Sequence, residues 1–408
     1  MLKLSVIQTA VQYILAIPYA KGYNTYKNMG GDSMTGKKIT SIEVKKMNKN
    51  RIFKLIYNSR EIARQEIAAQ LSLSLPTVNQ NLKELTEEGL IEYGGNFQST
   101  GGRKAQAITP VGEAVITIGL EIRRHHVSIL AIDLYGTVLD YEKYLKTFSE
   151  EEEYSRYLGY LVHNIVEHNH FDKDKILGVG IAVPGVFDQN KEYIIKAPSL
   201  GISCYPLSKL TQAIEYPCIV DNDANAGAFT ELWSNPMGED KAYLSVGKGV
   251  GGCIIKKDEL YKGHHHRAGE FGHMTVSPGG KLCNCGQRGC LEAYISTARI
   301  SDDLGCQIED FFSELDAGNI EYLKIWDEYL KYLCIGINNI YMVYDSDVVL
   351  GGVLAQYLDP YLEEIQKRLA ERNFFEKSGE YFKLTQYQSR ATAIGAALQL
   401  VSKFIEGI

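Results

Sequence analysis

The chain has 408 residues, 45% of them hydrophobic and 23% charged, with a formal net charge of −7. That composition excludes a largely disordered chain and a uniformly basic nucleic-acid binder, and the length calls for two or three ordinary domains. A local basic module remains compatible with it.

In chain order, residues 1–36 show no clean helical or strand period. Their most apolar run, residues 6–20, is broken by Gln8, Thr9, Gln12 and Pro18. It falls short of the roughly 18–20 apolar residues of a membrane span and is too polar for a good signal peptide. No membrane association and a cytoplasmic location are therefore expected. The chain turns basic and helical after Met34. Residues 1–36 read either as an upstream extension, with the biological start at Met34, or as a terminal tail.

Residues 37–110 hold 12 Lys and Arg against 7 Asp and Glu, a local +5 that leaves −12 for the remainder. This asymmetry is what a module meeting a polyanion shows. Ile52, Phe53, Leu55 and Ile56 mark a first helix, and Ile62, Ile67, Ala68 and Leu71 a second. Ser74 is placed to cap a third, with Pro76 in its first turn. That helix runs to about residue 88, with Val78, Leu82 and Leu85 facing inward and Leu90 just beyond. Thr77, Asn79, Gln80 and Lys83 remain for base edges and phosphates in a major groove. Residues 91–93 and 105–108 pair as a wing around a tip containing Gly101, Gly102, Arg103 and Lys104. Arginine and lysine there suit a minor groove. The segment resembles the winged helix-turn-helix of bacterial repressors. A three-helix protein-interaction module is the alternative.

Residues 111–408 read as two α/β lobes. Residues 115–121, 127–133 and 137–140 open a sheet, a helix spans 152–168, and 176–183 form a buried strand. A strand at 218–220 ends in Asp221-Asn222-Asp223-Ala224-Asn225, where open α/β sheets place their ligands. Strands at 242–246 and 252–256 flank a glycine-rich turn. The remaining third alternates long helices with one strand, 347–350, before Gly351-Gly352. The two-lobed layout fits an ancient duplication.

Of eight cysteines, Cys283, Cys285 and Cys290 crowd into eight positions. With His273 they make one imidazole and three thiols, the number and softness of a closed tetrahedral zinc site. Such a site is structural, fastening the loop at 273–290. A redox pair and incidental free thiols are the alternatives. His264, His265 and His266 stay unassigned. Asp223, Glu270 and Glu292 are carboxylates that can flank one crevice, and with Asn222 they suit a hydroxyl-rich neutral ligand. Exposed surface carboxylates are the other reading. Asp223 is the candidate general base against a sugar hydroxyl.

Ala268-Gly269-Glu270-Phe271-Gly272-His273, Cys283-x-Cys285-Gly286-x-x-Gly289-Cys290-Leu291-Glu292 and the upstream Asn222-Asp223-Ala224-Asn225 together resemble the ROK family of repressors, open reading frames and sugar kinases. The resemblance spans residues 48–408. It implies a ribonuclease-H-like, actin-type sugar-kinase architecture, two α/β lobes around a cleft, following the winged helix. It also implies zinc on His273, Cys283, Cys285 and Cys290. Sugar contacts are implied at Asn222, Asp223, Glu270, His273 and Glu292, with Pro184-Gly185 lining the cleft. Members with a winged helix are sugar-responsive repressors, commonly of xylose, glucose or N-acetylglucosamine genes. The partners it implies are operator double-stranded DNA, a free monosaccharide and a second copy of the chain, as a homodimer or a tetramer.

Kinases of the family carry Asp-x-Gly-Gly-Thr after the first strand. Here the residues are Glu121-Ile122-Arg123-Arg124-His125, which removes both glycines and the threonine. Gly247-Lys248-Gly249-Val250-Gly251 keeps glycines but has lysine at a usual threonine. No enzyme activity is expected. A sugar kinase, or a regulator with residual phosphotransfer through Asp223, is the alternative.

Overall fold

The computed structural model describes residues 40–96, 106–235, 238–265 and 267–408. Helix α1 (Ser41–Ser59) starts in a reciprocal cap: Thr40 Oγ1 accepts from the Glu43 N–H, and the Glu43 carboxylate accepts from the Thr40 N–H at 2.7 Å. It buries Ile52, Phe53, Ile56 and Tyr57. Ile62 does not begin the second helix. Ile62–Ala63 is a two-residue strand, β1, paired antiparallel to the wing through Ile62–Ile108 and Ala63–Ala107. β-branched Ile62 fits a sheet better than a first helical turn.

Helices α2 (Arg64–Leu71) and α3 (Leu75–Glu87) follow. Ser74 caps α3 as the sequence predicts, its hydroxyl accepting from the Thr77 N–H at 3.3 Å. Val78, Leu82 and Leu85 are fully buried, and Leu90 nearly so. Strands β2 (Ile91–Asn96) and β3 (Gln106–Pro110) pair antiparallel as the wing, with β3 central between β1 and β2. The wing tip, with Arg103 and Lys104, lies outside the described residues.

The first lobe opens with β4 (Ile116–Ile122), β5 (His126–Asp133) and β6 (Val138–Leu145), an antiparallel run. Helix α4 (Glu152–His168) and β7 (Ile176–Val183) occupy the predicted spans. Strands β8 (Val186–Phe187), β9 (Tyr193–Ala197) and β10 (Ile202–Pro206) form a separate meander that the sequence reading missed. After the single turn α5 (Ser208–Thr211), β11 (Cys218–Asn222) returns beside β7 and leads into α6 (Asp223–Trp233).

The second lobe contains β12 (Lys241–Val246), β13 (Val250–Lys256), β14 (Glu259–Tyr261), α7 (Glu292–Ile295), α8 (Ile308–Asp316), α9 (Ile320–Tyr344), β15 (Asp347–Gly351), α10 (Leu362–Arg372) and β16 (Phe382–Leu384). β16 is a second strand in a stretch read as having one. The two sheet orders, β11-β7-β4-β5-β6 and β14-β13-β12-β15-β16, are the same plan: two antiparallel strands, then a shared strand with two parallel partners. The match supports the duplication read from the sequence.

The last helix, α11 (Ala391–Gly407), joins everything. It lies so close to its neighbours that a Cβ on Gly395 would fall 1.7 Å from the Ala226 carbonyl oxygen of α6. One on Gly119 would fall 2.1 Å from that of Ala393. Its far end shares one apolar core with the winged helix, in which Ile52, Ile56 and Leu82 pack with Leu134, Ala397 and Phe404. Asn50 Nδ2 donates to the Ile405 carbonyl at 2.6 Å. Among the described residues, no helix is long and apolar enough to cross a membrane.

Candidate functional site

The chain crosses from β11 into α6 at the carboxyl end of three parallel strands. Asn222 makes the crossing. Its Oδ1 accepts from the N–H groups of Ala224 (2.8 Å) and Asn225 (3.1 Å), and its Nδ2 donates to the Gly185 carbonyl at 2.9 Å. Asn222 is thus a helix cap tied to the Pro184-Gly185 turn, with one N–H left over for a ligand. Gly185 has φ +138°, and a Cβ there would lie 2.9 Å from Ala197 and Ile194, so this turn demands glycine.

The cap aims Asp223 into the cleft from the first residue of α6. Burial raises the Asp223 carboxyl, Arg123 opposes the rise, and Glu121 adds to it. Glu270 stands within electrostatic reach of both Asp223 and Glu292. All three predicted carboxylates therefore converge. The Glu270 side chain is open to solvent. Crowding by the surrounding protein nonetheless raises its carboxyl against the influence of His273. Glu292 is already engaged: Oε2 accepts from the Val250 N–H at 2.9 Å, and Oε1 lies 3.4 Å from Cys283 Sγ.

His273, Cys283, Cys285 and Cys290 present donor atoms that all lie within 4.8 Å of one another. Cys285 Sγ is 3.7 Å from Cys290 Sγ, and Cys283 Sγ is 3.8 Å from His273 Nδ1. This cluster can hold a metal ion. Gly286 and Gly289 turn the loop at φ +91° and +83°. At Gly289 a Cβ would fall 1.9 Å from the Ser277 carbonyl oxygen. Burial raises Cys283 and Cys290. Cys285 is lowered, hydrogen bonds from the Gln287 N–H, Cys283 and Cys290 outweighing burial. His273 turns Nδ1 toward Cys283.

The hairpin tip between β4 and β5 faces the same region. Its two arginines part company. Arg124 reaches outward to the Leu200 carbonyl. Arg123 turns inward, and both Nε and Nη2 lie 2.6 Å from Glu121 Oε1. Burial disfavours the guanidinium's charge, but Glu121 and Asp223 outweigh it and raise Arg123. Across the cleft, Lys248 is paired to Asp302 at 2.9 Å. Gly351 and Gly352 are held by packing: a Cβ on the first would strike the Tyr243 hydroxyl at 2.0 Å and on the second the Val246 carbonyl at 2.6 Å. A cavity of about 670 Å³ near Tyr341, Asp347 and Glu376 lies at the opposite end of β15 and shares no residue with this cleft.

On the winged helix, Asn79, Gln80 and Lys83 are exposed along one side of α3. Asn79 Oδ1 accepts from Arg64 Nη1 at 3.2 Å, and Lys83 lies 3.8 Å from Glu87. Thr77 is half-buried, its hydroxyl bound to Ser74 Oγ at 2.8 Å. The sequence reading placed Arg123 in the altered phosphate loop but missed its pairing with Glu121, and it missed Tyr57 as a contact between regions. Alternation along β4 carries a signal for the first, because residues 121 and 123 share a face.

The model of the ROK family matches residues 117–403, and a model for winged helix-turn-helix DNA-binding domains matches residues 48–92. The xylose repressor of Caldicellulosiruptor bescii is 27% identical over 391 residues, covering 89% of this chain and 97% of its own. The glucokinase of Halalkalibacterium halodurans is 31% identical over 224 residues, 49% of this chain and 68% of its own. Among solved structures, a ROK family transcriptional regulator homologous to the E. coli MLC protein superposes with a TM-score of 0.72. That match covers 89% of this chain and 97% of the other. At 21% identity it shows the shared fold.

Proposed function

The chain belongs to the ROK family, and on that premise we propose that it is a sugar-responsive transcriptional repressor without useful kinase activity. The observation that carries this reading is the single apolar core shared by the winged helix and α11, because it ties a DNA-binding face to the helix packed on the sugar cleft. Exposed Asn79, Gln80 and Lys83 of α3 would meet base edges and phosphates of operator DNA. A free monosaccharide would sit against Asp223, Glu270, His273 and Glu292. Xylose is the first sugar to try, by analogy with the xylose repressor, and glucose and N-acetylglucosamine follow.

Zinc is the ion the donor set suits best. Zn–S bonds of about 2.3 Å in a tetrahedron set sulfurs about 3.8 Å apart, close to the 3.7 Å between Cys285 and Cys290. Its role would be structural, fixing the loop that carries Glu270 and Glu292. As a thiolate, Cys283 no longer donates to Glu292 Oε1, which is then open to a ligand hydroxyl, while Oε2 stays on Val250.

Sugar binding would favour one arrangement of the lobes. Helices α6 and α11 would pass that preference to α1, and with it to a pair of winged helices in a homodimer on a palindromic operator. Sugar then lowers operator affinity, and operator lowers sugar affinity by the same factor. The test is fluorescence anisotropy of the purified chain on its own upstream DNA, at stated salt, with and without a panel of sugars. Specific binding released by one sugar supports the reading. Specific binding indifferent to every sugar defeats it. ATP-dependent sugar turnover at an ordinary enzyme's rate, roughly 1–1000 per second, would favour the kinase alternative that the surviving Asp223 keeps open.

A further inference from the structure

The four donors of the metal cluster are not equivalent. Cys283 and Cys290 are 4% and 1% exposed, whereas Cys285 is open to solvent. Cys285 sits beside Gly286, where an added Cβ would meet nothing within 4 Å, so a small molecule in solvent can reach its sulfur. Cys283 is held from two other sides, 3.8 Å from His273 Nδ1 and 3.4 Å from Glu292 Oε1. Cys290 Sγ lies 3.7 Å from Cys285 Sγ. Metal binding takes cysteines as thiolates, and the thiolate is also the nucleophile. A reachable thiolate beside a buried one is the arrangement of an attacking and a resolving sulfur. The cluster also anchors two carboxylates of the cleft. The His273 N–H donates to the Glu270 carbonyl at 3.1 Å, and Glu292, two residues after Cys290, accepts from the Val250 N–H.

We propose that Cys285 and Cys290 form an oxidative modification site, at which a peroxide turns the metal-anchored loop into a disulfide-closed one and disconnects sugar from operator. The Cys285 thiolate attacks one peroxide oxygen. An S–O bond forms, the O–O bond breaks, and the hydroxide released takes a proton to become water. Cys285 is then a sulfenic acid. The Cys290 thiolate attacks its sulfur, an S–S bond forms, and the second oxygen leaves as hydroxide and likewise ends as water. Two thiolates, one peroxide and two protons thus give one disulfide and two waters. The sulfurs close from 3.7 Å to about 2.05 Å, and two of four donors are lost, so the cluster can no longer hold an ion. Glu270 and Glu292 lose their common anchor. This inference rests on the zinc and repressor readings above. It makes the metal site and the redox pair two states of the same residues.

The test is titration of the full zinc-loaded chain with hydrogen peroxide, read three ways: zinc released to a chromogenic indicator, cysteine pairing by peptide mass mapping, and release of operator by sugar. Each equivalent of peroxide should free one zinc and yield one Cys285–Cys290 disulfide. Cys204 is exposed as well and serves as the bystander, so it should stay reduced, and Cys204→Ser should reproduce every reading. Sugar affinity should fall roughly 10–100-fold, the scale of losing a hydroxyl-binding partner, and a dithiol reductant with added zinc should restore it. Zinc retained under excess peroxide overturns the proposal. So does a first disulfide that involves Cys283, or oxidation of Cys204 at the same rate as Cys285. Undiminished sugar response in the disulfide form overturns the regulatory step. A chain purified without zinc overturns the zinc reading and this inference together. A reduced, zinc-loaded chain whose operator binding ignores every sugar overturns the repressor reading, whereas a zinc-loaded, sugar-responsive chain indifferent to peroxide overturns this inference alone.

Discussion

The hydroxyl of Tyr57, in the first helix of the DNA-binding region, donates to the carbonyl of Leu134, in the sheet lobe, across 3.2 Å in a buried setting. The same ring stacks on Tyr135 with centroids 5.6 Å apart and meets Trp233 edge-on at 6.1 Å. Arg60 lies over the Tyr135 ring at 3.8 Å. Trp233 is the last residue of α6, and Asp223 is the first. One eleven-residue helix therefore runs from the Asp223 carboxylate to the aromatic cluster beneath the winged helix.

Tyr57→Phe removes only that hydroxyl and leaves the buried Leu134 carbonyl without its partner, a loss of about 1–2 kcal/mol. Operator affinity in the absence of sugar and sugar affinity in the absence of DNA should each stay near wild type. The factor by which sugar weakens operator binding should shrink. Paired anisotropy titrations with and without sugar measure that factor directly. A Tyr57→Phe protein with undiminished coupling would remove this contact from the relay.

Gln80→Ala should lower affinity for the specific operator by about 1–3 kcal/mol and blur preference at one base position. Lys83→Ala should weaken binding evenly across sequences and flatten the salt dependence by about one ion. Lys83 is three-quarters exposed and only loosely paired to Glu87, so neither change should disturb folding. Competition titrations against non-specific DNA at several salt concentrations separate the two outcomes, and equal effects of both variants on specific and non-specific DNA would argue against a base-reading role for α3.

How far the sequence carried these assignments depends on how local each signal was. The span of α4 and the buried strand β7 were legible because their periods are long and unbroken. The cap at Ser74 was legible because capping is a property of four adjacent residues. β1 was misread because Ile62 and Ala63 directly precede a helix and take their pairing from Ile108 and Ala107, far along the chain. The meander β8–β10 was missed because its strands are only two, five and five residues long. Asp223, Glu270 and Glu292 were found as a set, yet nothing local showed that Asn222 ties its Nδ2 to the Gly185 carbonyl or that Glu292 braces Val250. Arg123 and Arg124 are identical in kind. Alternation hints that Arg123 shares a face with Glu121, but that Arg124 reaches the Leu200 carbonyl is seen only in the fold.

Metal analysis of the purified protein should find about one zinc per chain, and Cys285→Ser should lose most of it. Cys285 is the exposed cysteine of the cluster, Cys283 and Cys290 being buried, so among the cysteines this change perturbs packing least. Because Glu292 touches both Cys283 and the Val250 N–H, loss of metal should loosen the sugar site before the sheets. The response to sugar should vanish under chelation while the far-ultraviolet circular dichroism is kept. Full sugar response in metal-free protein would sink the structural role.

Glu270→Ala should abolish release by sugar while sparing operator binding. Glu270 lies on the loop that follows β14 in the second lobe, not on the winged helix, so the two activities should separate. Sugar affinity should fall roughly 10–100-fold, the scale of deleting one hydroxyl-binding partner. If operator binding fell in parallel, misfolding would explain both.

His126 offers a stability test with a definite sign. Burial, then Lys143 and Arg123, lower its imidazole to about 4, with Glu121 opposing. An unfolded histidine titrates near 6.5. Above that value His126 is neutral in both states and contributes no pH dependence. As the pH falls from 6.5 toward 4, the unfolded chain takes up a proton that the folded chain refuses, so stability is lost across this window and levels off below it. His126→Gln removes that term. Between pH 6.5 and 4 its melting temperature should fall less steeply than that of the wild type, and the two curves should run parallel above pH 7. Parallel curves through the whole range would show that His126 does not carry this loss.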